Sequence, residues 1–121
     1  MSTIRDTRVV DWISIEKSTG TIELTVFDDL DWSNEQEHLV LLQDKLNTYL
    51  AFIESGELVE RLNHEFGHSV TSSVPVEVSI VARYEATPKA RKFLDAATQA
   101  LKDAGFSLSH RVALPGHEGT N

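Results

Sequence analysis

His64-Glu65-Phe66-Gly67-His68 has the form H-E-x-x-H. On a helix this spacing puts two imidazoles one turn apart on one face, where they can hold zinc. The glutamate between them can then act as a base on metal-bound water. This makes a zinc-dependent hydrolase, with His64 and His68 as ligands and Glu65 as base, one function to weigh. A catalytic zinc takes a third protein ligand. The longer signature of this kind needs glycine where Thr71 stands and histidine where Val74 stands. His38, His110 and His117 are also available, and the spacing selects none of them. Gly67 inside the motif, and the polar run from Ser69 to Ser73, work against a helix long enough to carry both histidines.

Other chemistry-bearing residues point less sharply. Asp28, Asp29 and Asp31 form an acidic cluster without the twelve-residue loop and closing glutamate of an EF-hand. They read more simply as turn residues whose charge favours the helix that follows. Asp11 interrupts an apolar strand beside Trp12 and is expected to face solvent. His110 falls on the apolar side of the last strand, where a hydrogen-bonded histidine is commoner than a site residue. Neither G-x-G-x-x-G nor G-x-x-x-x-G-K-[ST] occurs, so nucleotide binding lacks its usual phosphate cradle. Without cysteine, thiolate zinc sites, disulfides and cysteine nucleophiles are excluded.

Composition narrows the partners. The chain of 121 residues carries 19 acidic and 11 basic side chains, for a net charge of −8. Phosphate backbones and anionic membranes both call for a basic face, so neither nucleic acid nor a membrane is the expected partner. The first residues lack the apolar core of a signal peptide. Unbroken apolar runs such as Leu39 to Leu42 and Tyr49 to Ile53 are far short of a membrane span of ~20 residues. A cytoplasmic setting is expected.

The elements that must position these residues are legible from periodicity. Arg8 to Lys17 and Thr21 to Phe27 read as strands joined by Ser18-Thr19-Gly20 into a hairpin. Ser33-Asn34-Glu35-Gln36 has the form of a capping box. The helix after it carries Leu39, Leu42, Leu46, Tyr49, Leu50 and Ile53 as one stripe, and Gly56 ends it. Glu57 to His68 is compatible with a short helix or an irregular loop. A third strand spans about Pro75 to Tyr84. Thr87-Pro88 starts a helix that ends at Gly105, with Phe106 folding back on Leu101. Ser107 to Leu114 is the last strand.

The expectation is a single α+β domain over residues 1–121, ordered from about 8 to 114 with mobile termini. Its order is β-β-α-β-α-β. Its architecture is a two-layer sandwich: a four-stranded, mostly antiparallel sheet with two helices on one face. The other face would carry Glu23, Thr25, Glu77, Ser79 and Arg83 together with Trp12, Phe27 and Val81. That apolar cluster reads as a mini-core under a loop, as a dimer surface and so a candidate interface, or as a ligand patch, in that order, because small apolar patches are usually structural or oligomeric.

Several stretches also resemble a known family, among them Val78 to Tyr84 and Phe93 to Phe106. Val9-Val10-Asp11-Trp12-Ile13-Ser14-Ile15 is similar to a V-I-D-F-I-S opening strand. The run from His38 to Glu57 is similar to that family's H-L-x-L-L-Q-x-K-x-N-x-Y-L-x-F-I-E-S-G helix. The family consists of small, mostly bacterial proteins known as a domain of unknown function, and the resemblance covers most of residues 8–113. It implies no activity. It also implies that the stretch from His64 to Ser73 is a variable loop, so that the H-E-x-x-H pattern is local to this chain. The leading expectation is a non-enzymatic cytoplasmic domain without a cofactor that binds protein, as a homodimer or with another chain. The zinc hydrolase and a small-ligand binder are the alternatives.

Overall fold

A computed structural model describes residues 4–10, 12–16, 18–66 and 75–113. Among these, the order is β1 (Trp12–Ile15), β2 (Ile22–Asp28), α1 (Glu35–Glu54), α2 (Glu57–Phe66), β3 (Val76–Ala82), α3 (Pro88–Asp103) and β4 (Ser107–Val112). The α+β composition and the four-stranded sheet agree with the sequence reading. The stretch after Gly56 resolves into a helix, α2, so the described order gains one element.

The sheet runs β1-β2-β3-β4. Its first pair is the expected hairpin. Trp12 lies opposite Thr25 and Ile15 opposite Ile22, with the strands antiparallel. At the turn, the Gly20 N–H donates to Glu16 O at 2.7 Å and Gly20 adopts φ 76°, a backbone that glycine takes without a Cβ penalty. The expectation of a mostly antiparallel sheet is corrected by the other two pairs, β2·β3 and β3·β4, which are both parallel. The reason lies in the connections. A tight turn reverses the chain, whereas a helical crossover returns it to the starting edge, so the next strand runs parallel. Both later strands follow helices.

The helix ends obey local chemistry. Thr87 accepts from the Ala90 N–H at 3.1 Å, and Pro88 opens α3. At the other end the Phe106 N–H donates to Leu101 O at 2.8 Å and the Gly105 N–H to Lys102 O at 3.0 Å. That is the paired closure of a Schellman ending around a left-handed glycine. The start of α1 differs from expectation. Asn34, not Ser33, is the cap, and its side chain accepts from the Glu37 N–H at 3.2 Å. The Ser33 hydroxyl is turned back to Asp31 Oδ1 at 2.6 Å.

Alternation within the strands separates two faces. Ile22, Leu24 and Val26 of β2 and Val76, Val78 and Ile80 of β3 are buried. They form one cluster with Leu42, Leu46 and Tyr49 of α1, Leu58 and Leu62 of α2, and Leu94 and Leu101 of α3. Ile4, at the start read from sequence as frayed, belongs to this cluster and is 0% exposed. Its N–H donates to Phe27 O at 3.0 Å. Lys45 Nζ donates to Asp6 O at 2.6 Å, and the Thr48 hydroxyl donates to Thr7 O. These bonds strap residues 4–7 across α1.

Candidate functional site

The outward face of the sheet collects residues from all four strands. Register puts Ser14, Glu23, Glu77 and Ser107 in one row across it. Trp12, Thr25, Ser79 and Ser109 form the next row, and Phe27, Val81 and Arg111 the one after. The proposed trio of Trp12, Phe27 and Val81 therefore shares a face, with Phe27 and Val81 directly side by side. Trp12 is 58% exposed, a high value for a side chain of that size. Ser107, Ser109 and Arg111 are exposed as well, Glu23, Phe27, Glu77 and Val81 are half-buried, and Thr25 and Ser79 at the centre of the face are buried. Beyond the last row, a cavity of about 300 Å³ is lined by Phe27, Asp29, Val81, Arg83 and Ala113, among others. Charge is sorted along this face: Glu23 and Glu77 mark one end, and Arg83 and Arg111, with Asp29 among them, mark the other.

The carboxyl edge of the parallel strands, where open α/β sheets tend to bind ligands, holds a buried polar pair. Asp28 ends β2 and is 2% exposed; His38 sits in the first turns of α1 and is 1% exposed. His38 Nε2 lies 2.8 and 2.7 Å from the two Asp28 carboxylate oxygens. His38 Nδ1 donates to the Asp31 carbonyl at 2.9 Å. The Trp32 ring stacks on the imidazole with centroids 3.5 Å apart and planes 15° apart. A carbonyl accepts only, so Nδ1 carries a proton. Both ring nitrogens are engaged and both side chains are buried. The pair ties the end of β2 to the start of α1.

Of the acidic cluster, Asp28 is spent in this pair. The exposed Asp31 carboxyl is held below the usual carboxylate range by the Ser33 hydroxyl and then the Ser33 N–H, with the charge of His38 adding to the effect. Asp29 is exposed. This set matches the turn-and-cap reading better than a cation site.

His64 and Glu65 lie on α2 and are exposed. Glu65 Oε1 pairs with Arg61 Nε at 3.2 Å, one helical turn away. His68, Asp11 and His117 fall outside the described residues. Among the described residues, no group of three His, Asp or Glu side chains is placed to hold a metal ion. Nor is any described helix long and apolar enough to cross a membrane.

His110 lines a cavity of about 360 Å³ between β4 and α3, with Arg91, Asp95, Thr98, Arg111 and others. Burial holds its imidazole below the ordinary value; Arg91 pushes the same way, and Asp28 opposes.

Sequence reasoning missed the Asp28–His38–Trp32 tie and the buried Lys45. The first spans ten positions through a loop, with no periodicity to reveal it. The second lies on the apolar side of α1, where only the strap over it explains a lysine.

The chain belongs to a family of unknown function, DUF6572, whose model matches residues 1–114. No curated protein and no solved structure matches it.

Proposed function

We propose that this chain is a non-enzymatic, cytoplasmic protein-interaction domain that works through the outward face of its sheet. In this reading the helices stack as one layer on the core face, and no described helix lies on the opposite face. The observation that carries it is the exposed Trp12 indole on the same face as Phe27 and Val81, rimmed by carboxylates and guanidinium groups. An aromatic anchor with a polar rim is the usual make-up of a binding patch. The buried histidine–aspartate pair supports the non-enzymatic part, because both ring nitrogens are engaged and both side chains are buried.

Site-specific photo-crosslinking tests the proposal in the native cells. Benzoylphenylalanine in place of Trp12 is expected to yield discrete protein adducts. The same probe in place of Val40, which is exposed on α1, is expected to yield none of them. Identical adduct patterns at the two positions would sink the reading.

A further inference from the structure

We propose that the outward sheet face pairs with a second copy of this chain, through a two-fold axis lying across the strands. The inference rests on the interaction reading above and names its partner. The argument comes from the way charge is sorted on the face. Glu23 and Glu77 share the row at the amino ends of the parallel strands. Arg111 lies in the row nearest their carboxyl ends, and Arg83 follows the end of β3. Asp29 belongs to the same end, so its local balance is one positive charge.

Two identical faces can meet about a two-fold axis that runs either along the strands or across them. An axis along the strands lays β2 over β3 of the partner and sets Glu23 against Glu77 with like charges opposed. An axis across the strands inverts the face end for end. Glu23 then lies over Phe27 of the second copy and Glu77 over its Val81, one strand away from its Arg111, and Trp12 meets Trp12 of the second copy. Like charges set directly opposite destabilise a contact, and opposite charges favour it. The second axis avoids the Glu23–Glu77 opposition and brings the acidic end of one face near the basic end of the other, and it also gives the exposed indole a stacking partner. The net charge of −8 on each chain opposes association, but screening over about 8 Å at physiological salt leaves the charges near the contact in control.

Size sets the strength. Four strands about 4.8 Å apart and about seven residues long give a flat footprint of roughly 400 Å². Side-chain relief enlarges this, yet it stays at the small end of specific interfaces. The dimer is accordingly reversible, with a dissociation constant in the micromolar range.

Light scattering after size exclusion tests this at roughly 0.5 mM protein, well above such a constant. The native sequence is expected to run as a dimer. The pair Glu23→Arg/Glu77→Arg and the pair Arg83→Glu/Arg111→Glu are each expected to weaken it by more than tenfold, with circular dichroism confirming the fold. An equimolar mixture of the two variants is expected to dimerise again, because each then presents the charge that the other lacks. A monomeric native chain, a dimer indifferent to both reversals, or a mixture that stays monomeric overturns the proposal. If the native chain is monomeric but Trp12-position crosslinks reach a different protein, self-association falls while the interaction reading stands. If those crosslinks are also missing, both fall.

Discussion

At the scale of single residues, the most constrained group is His38. Its two nitrogens and one ring face are all engaged, by Asp31 O, Asp28 and Trp32. Removing one member of a buried, charge-assisted pair leaves the other desolvated and unmatched, which costs about 3–5 kcal/mol. His38→Leu is expected to lower stability by that order in urea unfolding. Adding Asp28→Asn is expected to recover part of the loss. The amide is neutral, and its oxygen still accepts from the Leu30 N–H, which reaches Asp28 Oδ1 at 3.2 Å. A double mutant no more stable than His38→Leu alone would contradict the pair as described. His110 gives the pH dependence. Its imidazole is held below the ordinary histidine value of 6.5, by burial first. Below about pH 6.5 the unfolded chain then binds more protons at this site than the folded chain does. Its contribution is complete above that pH and declines as pH falls toward the lowered folded value. His110→Gln is expected to flatten this part of the stability profile. An unchanged slope below pH 6.5 would show that burial does not hold the imidazole down.

At the scale of elements, the helix ends were the most legible features. Thr87-Pro88 and Gly105-Phe106 mark α3 because a hydroxyl cap, a proline at the first turn and a left-handed glycine act within a few residues of one another. Gly105 has φ 95°, and a Cβ added there meets nothing within 4 Å. The cost of Gly105→Ala therefore comes from the backbone alone, about 1 kcal/mol. Thermal unfolding measures it; a loss several times larger would mean packing that the open space does not account for. The start of α1 was less legible. Ser33, Asn34 and Asp31 all have side chains able to cap, and the local chain path decides among them: Asp31 takes Ser33, which leaves Asn34 to the helix. The Glu57 stretch was ambiguous because ten residues are short for a helix to declare itself. Leu58 and Leu62, one turn apart and buried against the core, stabilise it in place.

At the scale of the whole molecule, the start of the described chain is part of the core. Ile4 is fully buried, while Lys45 and Thr48 reach from α1 to the carbonyls of residues 6 and 7. Ile4→Ala is expected to cost about 2–5 kcal/mol, the usual range for truncating a buried isoleucine. Chemical denaturation checks this, and a change below ~0.5 kcal/mol would place Ile4 outside the core. The strap also explains a residue that looked misplaced. Lys45, 0% exposed, lies over the Tyr49 ring at 5.9 Å and donates to Asp6 O. Its ammonium thus has acceptors that a solvent-free apolar stripe would have denied it.

The sequence by itself determined what depends on near neighbours. It marked the hairpin, the apolar stripe of α1, the caps of α3 and the absence of thiol chemistry. Alternation with period two and stripes with period near 3.6 operate over a few residues, so they are written locally. Only the tertiary structure decided the direction of β3 and β4, the burial of Ile4 and the pairing of Asp28 with His38. Each depends on where a crossover returns the chain or which distant side chain fills a space, and no local spacing encodes that. The same limit applies to the face itself. Its residue types were readable, but the sorting of acid to one end and base to the other exists only once the strands are in register.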